Sequence, residues 1–198
     1  MTERRARDVV GLVVGVSGLI ATGIRSRSGP GETEQRIFYA AHRLLPQSVY
    51  PLAWWPMQYG TFGAVPGLAF VALSRRHARL AAAIAIGGTS AWIGAKGVKL
   101  IVGRERPHRI LGGVRIRGKE EAGLGFPSGH AAVSASITTA SVPYLGTLSG
   151  AASMAMAGYV CWARMYVGTH LPLDVAGGAA LGVAVGSLAN LILGVEPP

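Results

Sequence analysis

The run LAAAIAIGGTSAWIGAKGVKLIV, from Leu80 to Val102, carries no charge until Lys96 and is long enough for a helix to cross a bilayer. Outward from it, similar runs lie at Val9 to Ile24, Leu52 to Leu73, Ala131 to Leu148, Gly150 to Val167 and Val175 to Leu193. Together they predict an all-α integral membrane helical bundle with about six transmembrane helices. Composition agrees: half of the 198 residues are hydrophobic, 14% are charged, mean hydropathy is +0.38 and 29 residues are glycine, which suits helices packed closely in lipid. No repeat or long linker divides the chain, so residues 1–198 read as one membrane-embedded domain.

The first run follows Arg4, Arg5 and Arg7, as a signal peptide would, but it ends in Ile24-Arg25-Ser26-Arg27 without a small-x-small cleavage pattern. It reads as a retained helix. Between the first two runs, Ile37, Phe38, Ala41, Leu44 and Leu45 recur at helical spacing and predict a helix lying along the interface, where Trp54 and Trp55 fit an aromatic belt.

The net charge of +10 points to anionic headgroups or phosphorylated substrates rather than nucleic acid, because no basic stretch is interleaved with stacking aromatics. Cys161 is the only cysteine, which excludes an internal disulfide and a cysteine-built metal site. No acidic cluster offers magnesium or calcium a cage, so neither metal nor cofactor is expected; Glu105, Glu120 and Glu121 read as solvated. Oligomeric state is left open.

Arg4, Arg5 and Arg7 before the first run and Arg75, Arg76 and Arg79 after the second prefer the cytoplasm. Alternation then puts Arg104, Arg106, Arg109, Arg115, Arg117 and Lys119 outside, against the charge rule. Cations on the unfavourable side are explained by a phosphate ligand, an inverted topology being the alternative. The expected location is a bacterial-type cell membrane with the active site on the extracytoplasmic face.

Charges at the ends of membrane helices are costly and read as functional. Lys99 and Arg106 are seven apart, so a continuing helix puts them on one face about 10 Å apart along the axis, with Pro107 restricting Arg106. The competing reading has Lys96 and Lys99 snorkelling to headgroups. In Phe126-Pro127-Ser128-Gly129-His130 a charged loop turns into an apolar helix: Ser128 can cap it, Gly129 admits close backbone approach, the free amides favour an anion, and His130 stands by as a proton donor. The third cluster runs from Arg164 through His170 to Asp174. Four residues apart, His170 and Asp174 stack on a helix face, so the carboxylate can hold one imidazole nitrogen and leave the other to attack, unless the two are merely a buried polar pair. An alternating bundle brings all three clusters to one side of the membrane.

Lys99-x6-Arg106-Pro107, Pro127-Ser128-Gly129-His130 and Arg164-x5-His170-x3-Asp174 resemble the three-part signature of the type 2 phosphatidic acid phosphatase family. The resemblance implies a phosphate bound by Lys99, Arg106 and Arg164 with Ser128 and Gly129. It makes His170 the nucleophile of a phosphohistidine intermediate, Asp174 its orienting partner, and His130 the group that protonates the leaving oxygen. The family includes soluble acid phosphatases and vanadium haloperoxidases; hydropathy favours its lipid phosphatase branch. Where the family usually has Ser before the third-motif arginine, this chain has Ala163, which removes a hydroxyl contact to phosphate. The expected function is metal-independent hydrolysis of a lipid phosphomonoester or diphosphate such as polyprenyl diphosphate or phosphatidic acid. The alternatives are phosphoryl transfer to another acceptor at the same site, and non-catalytic binding of anionic lipid. The extra cations Arg104, Arg109, Arg115, Arg117 and Lys119 suit either a diphosphate or a solvated basic loop.

Overall fold

The computed structural model describes residues 3–194; residues 1–2 and 195–198 of the expected single domain lie outside the described residues. All regular structure among the described residues is helical. In chain order the helices are α1 (Glu3–Ser26), α2 (Glu32–Arg43), α3 (Tyr50–Met57), α4 (Ala64–Ser74), α5 (Ala78–Val102), the single turn α6 (Pro107–Ile110), α7 (Gly129–Ser141), α8 (Thr147–Tyr166) and α9 (Pro172–Leu193).

Three stretches are long and apolar enough to cross a membrane: Glu3–Ser26, Ala78–Ile110 and Pro172–Leu193. The other three expected spans are helical but modified. The run Leu52 to Leu73 is broken between α3 and α4, where Pro56 precedes a tight turn at Gln58–Gly60 and Gly63 leads into the next helix. Gly60 is needed there, because a Cβ would stand 2.7 Å from the His130 carbonyl oxygen. The fourth run stops at Ser141, and Pro143 turns the chain before α8 begins at Thr147. Thr, Ser, Gly and Tyr dilute the apolar character of α8.

Helix α9 is the axis of the bundle, packed on α1, α7 and α5, with α7 also on α5 and α8. Its glycines make this possible. Gly178, Gly182 and Gly186 share one face at helical spacing, and Cβ atoms on the first two would each lie 2.3 Å from a carbonyl of the Ser128 to Ala132 segment. On the opposite side Gly15 of α1 comes equally near α9, its Cβ position 2.6 Å from the Ala184 nitrogen. Small residues therefore serve packing within one chain. Val10, Val13, Val14, Ile20, Phe70, Ile93, Leu100 and Ile192 point outward, giving the bundle an apolar exterior.

The segment expected to be a helix along the interface is helical, as α2. Glu34, Phe38, Ala41 and His42 are buried, while Ile37 and Leu44 are exposed. The apolar set therefore divides, with Phe38 and Ala41 turned inward beside Glu34 and His42 and with Ile37 and Leu44 turned outward.

Candidate active site

Helix α5 ends at Gly103, a left-handed cap at φ 70° that only glycine adopts without strain. The helix therefore does not continue to Arg106, which sits in extended backbone before Pro107. Lys99 and Arg106 nevertheless meet, because the loop folds back over the end of the bundle. Lys99 Nζ donates to the Leu124 carbonyl at 2.7 Å, and Arg106 donates to the Gly123, Thr169 and Ala122 carbonyls at 3.0, 3.2 and 3.2 Å.

Ser128 is the N-cap of α7, its hydroxyl accepting the Ala131 amide at 3.4 Å, and its own amide donates to the Asp174 carbonyl at 2.8 Å. The second and third sequence clusters are thus tied backbone to backbone. Gly129 has open space where a Cβ would stand, consistent with a ligand approaching its backbone. Arg164 is buried in the last turn of α8, and the chain then bends so that the His170 amide donates to the Arg164 carbonyl at 3.3 Å.

A cavity of about 230 Å³ collects the result: Lys99, Arg106, Glu121, Gly129, His130 and His170 line it, with Gly60, Thr61, Phe62 and Trp92 as its far wall. Ser128 and Asp174 are fully buried. Lys96 also lines the cavity, with its Nζ 3.4 Å over the Trp92 ring. Two roomier cavities, of about 350 and 620 Å³, contain no comparable cluster.

His170 and Asp174 do not share a helix face, since α9 starts at Pro172. His170 Nδ1 faces Asp174 Oδ2 at 3.7 Å, too long for a hydrogen bond. The carboxylate is occupied elsewhere. Oδ2 accepts the Leu171 amide at 2.8 Å and Oδ1 accepts Arg104 Nη1 at 2.9 Å. Burial, then Arg164, Lys99 and Arg106, push the His170 imidazole well below its ordinary 6.5, so it is neutral at pH 7.

Glu121 is half-buried and paired, where it was expected to stand free in solvent. It pairs with Arg164 through Oε1 and with Arg106 through Oε2 at 3.2 Å. Burial acts to raise its carboxyl, yet Arg164 and Arg106 outweigh this and hold it at about 2. Arg104 is likewise buried, on Glu34 and Asp174. Arg109 pairs with Glu105, Arg115 donates to Gln47, and buried Arg117 donates to the Tyr166 carbonyl while lying over that ring. Four of the five extra cations therefore serve the chain itself. Arg104 and Glu121, expected as part of a solvated loop, are thus internal partners of the site, and Glu34 joins them unforeseen; its one legible mark in the sequence is the helical spacing of Glu34 and His42 around Phe38. Among the described residues no three of His, Cys, Asp and Glu gather as metal ligands.

A family model described as the PAP2 superfamily matches residues 76–195. The fold is shared with the crystal structure of Aquifex aeolicus LpxE, at TM-score 0.72 and 19% identity over 78% of this chain and 93% of that one. It is also shared with the first transmembrane PAP2 type phosphatidylglycerolphosphate phosphatase from Bacillus subtilis, at TM-score 0.71 and 20% identity over 89% of this chain and 94% of that one. None of the curated protein sequences compared with the chain matches it.

Proposed function

The chain belongs to the PAP2 superfamily, and on that premise we propose that it is an integral membrane lipid phosphatase that hydrolyses a lipid phosphate through a phosphohistidine on His170, without a metal. The observation carrying this reading is the clamp of Arg106 and Arg164 on one carboxylate beside His170. Two guanidinium groups converging on an oxyanion group mark where phosphate oxygens bind.

In this mechanism Lys99, Arg106, Arg164 and the Gly129 backbone neutralise the phosphate oxygens, which is most of what phosphoryl transfer requires. Nδ1 of His170 faces Asp174, so Nε2 is the attacking atom. The Nε2–P bond forms as the P–O bond to the lipid breaks, and His130 gives its proton to the departing oxygen. Burial and then Arg164 lower the His130 imidazole to about 3, until the negative phosphate offsets the surrounding cations and lets it take up that proton. Water then attacks phosphorus while His130 takes its proton. The N–P bond breaks, releasing inorganic phosphate and free His170.

The substrate class follows from the surroundings. A groove of about 620 Å³ along α4 shares Thr61 with the cavity and offers hydrocarbon a route to it. Because most of the extra cations are engaged internally, the site reads a single phosphate, whether a monoester such as phosphatidic acid or the terminal group of a polyprenyl diphosphate. Six membrane-crossing segments are proposed, with the break between α3 and α4 inside the second. Arg7 lies at the opposite end of α1 from Gly23, which packs near Phe126 at the site. The positive-inside rule then favours a site on the extracytoplasmic face of a bacterial-type membrane.

The test is phosphate release by detergent-purified protein, with chelator present, from phosphatidic acid and from a polyprenyl diphosphate, beside His170→Ala. Chelator-resistant release lost in the variant supports the reading. Release retained by His170→Ala overturns it, and lipid-product analysis showing a phosphorylated acceptor instead of free phosphate makes the enzyme a transferase.

A further inference from the structure

The carboxylate facing the nucleophile is part of a buried three-residue chain: Glu34 lies outside the three sequence clusters, and Arg104 falls at one of the unspecified positions between Lys99 and Arg106. Asp174 Oδ1 accepts Arg104 Nη1 at 2.9 Å. Arg104 gives Nη1 to Glu34 Oε1 at 2.9 Å and Nη2 to Glu34 Oε2 at 2.6 Å, a fork on a fork. Glu34 Oε1 also accepts the Leu173 amide at 3.0 Å, in the first turn of α9. The three side chains are 8% exposed or less, and they come from α2, the loop after α5 and α9.

A carboxylate with no solvent needs a positive partner, and removing one member of such a group leaves an uncompensated buried charge. Arg104 is that partner for Asp174. Its planar guanidinium, fixed from behind by Glu34, also determines where the Asp174 oxygens point, which a lysine ammonium would not do. With Oδ1 on Arg104 and Oδ2 on the Leu171 amide, one remaining direction of Oδ2 faces His170 Nδ1. Catalytic hydrogen bonds that are long without substrate tighten when it binds, and a 3.7 Å gap across a fixed carboxylate needs only a small imidazole rotation to close.

We propose that Arg104 and Glu34 are positioning residues for the nucleophile, fixing the Asp174 carboxylate and, through it, the orientation and tautomer of His170. This rests on the phosphohistidine reading above. Neither residue touches the substrate, so their loss lowers kcat and leaves KM in place.

The test compares full-length Glu34→Gln, Arg104→Lys and Asp174→Asn, alone and paired, on the lipid that the wild type hydrolyses, each with its thermal transition in detergent. Glu34→Gln and Arg104→Lys are expected to lose about 10²-fold in kcat, as a small misplacement at the reacting centre does, with KM within about twofold. In the Asp174→Asn background neither is expected to lower kcat further, because the path runs through that carboxylate. Losses that multiply with Asp174→Asn, or that appear in KM alone, overturn the proposal. Should Arg104→Lys fail to give a folded protein, the near-isosteric Glu34→Gln carries the same comparison. His170→Ala separates the two levels. If it abolishes release while Glu34→Gln and Arg104→Lys match the wild type, the positioning role fails and the phosphohistidine stands; if it retains release, the phosphohistidine reading itself falls.

Discussion

Arg106 and Arg164 grip opposite oxygens of one carboxylate, that of Glu121. Under the proposed reading this carboxylate holds the place of substrate oxygens and must be displaced. Glu121→Gln is expected to tighten competitive inhibition by inorganic phosphate about three- to fivefold, the scale of a partly exposed ion pair of up to about 1 kcal/mol. With its carboxyl held at about 2, Glu121 stays ionised across the working range, so the ratio of the two inhibition constants should not change between about pH 5 and 9. A weaker inhibition constant in the variant would show that Glu121 helps the phosphate instead of competing with it.

Acid should destabilise the fold in two stages. His170 is pushed below 6.5 by burial and then by Arg164, Lys99 and Arg106, whereas an unfolded chain takes up that proton near 6.5. Its contribution to stability is therefore full above 6.5 and is lost as pH falls below that value. His42, lowered by burial and by Arg117 against the opposing Tyr166 carbonyl, acts in the same sense. Glu121 adds stability present above about 4.5 that is lost as pH falls toward 2. Melting temperatures in detergent should decline from about pH 6.5 downward, and His170→Asn should make the first stage shallower.

His130 lines the cavity beside the proposed nucleophile. If it protonates the leaving oxygen, His130→Ala should slow hydrolysis of an alkyl phosphate by about 10²–10⁴-fold and that of p-nitrophenyl phosphate far less, because nitrophenolate needs no proton to depart. Equal losses on both would assign His130 to binding.

The α7–α9 seam admits no extra atom at Gly178, where a Cβ would lie 2.3 Å from the Ser128 carbonyl oxygen. Gly178→Ala should cost about 1–3 kcal/mol, read as a lower melting temperature, with activity falling as Ser128 is pushed aside. Gly97→Ala, with nothing within 4 Å of its added Cβ, is the control and should stay within about 0.5 kcal/mol of the wild type.

The helical bundle was legible in the apolar runs because a bilayer demands length and apolarity, and both are written locally. The three charged clusters were legible for the complementary reason: Lys99, Arg106 and Asp174 are expensive at helix ends in lipid and call for an explanation. What the sequence hid depends on contacts between distant segments. Nothing around Glu121 distinguishes it from Glu120, since only the fold brings Arg106 and Arg164 to it. Helix α2 carries apolar residues on both sides, Phe38 and Ala41 inward and Ile37 and Leu44 outward, so its apolar spacing alone does not show that Glu34 and His42 turn inward to polar partners. The interruption at Gly60 carries local marks in Pro56 and Gly63, and only the close approach of the His130 carbonyl, which requires the glycine, was hidden.

The hydrogen bond from the Ser128 amide to the Asp174 carbonyl, with the glycine seam beneath it, welds the beginnings of α7 and α9 into one piece. The facing wall is composite: Thr61 and Phe62 belong to the kinked segment between α3 and α4, whereas Trp92 stands on α5, itself packed on α7 and α9. Retargeting the proposed enzyme to a different lipid would then start at Thr61 and Phe62, with Gly60 kept for its fit against the His130 carbonyl. The welded pair of helix starts, with Ser128 and Asp174, would pass unaltered from one substrate to the next.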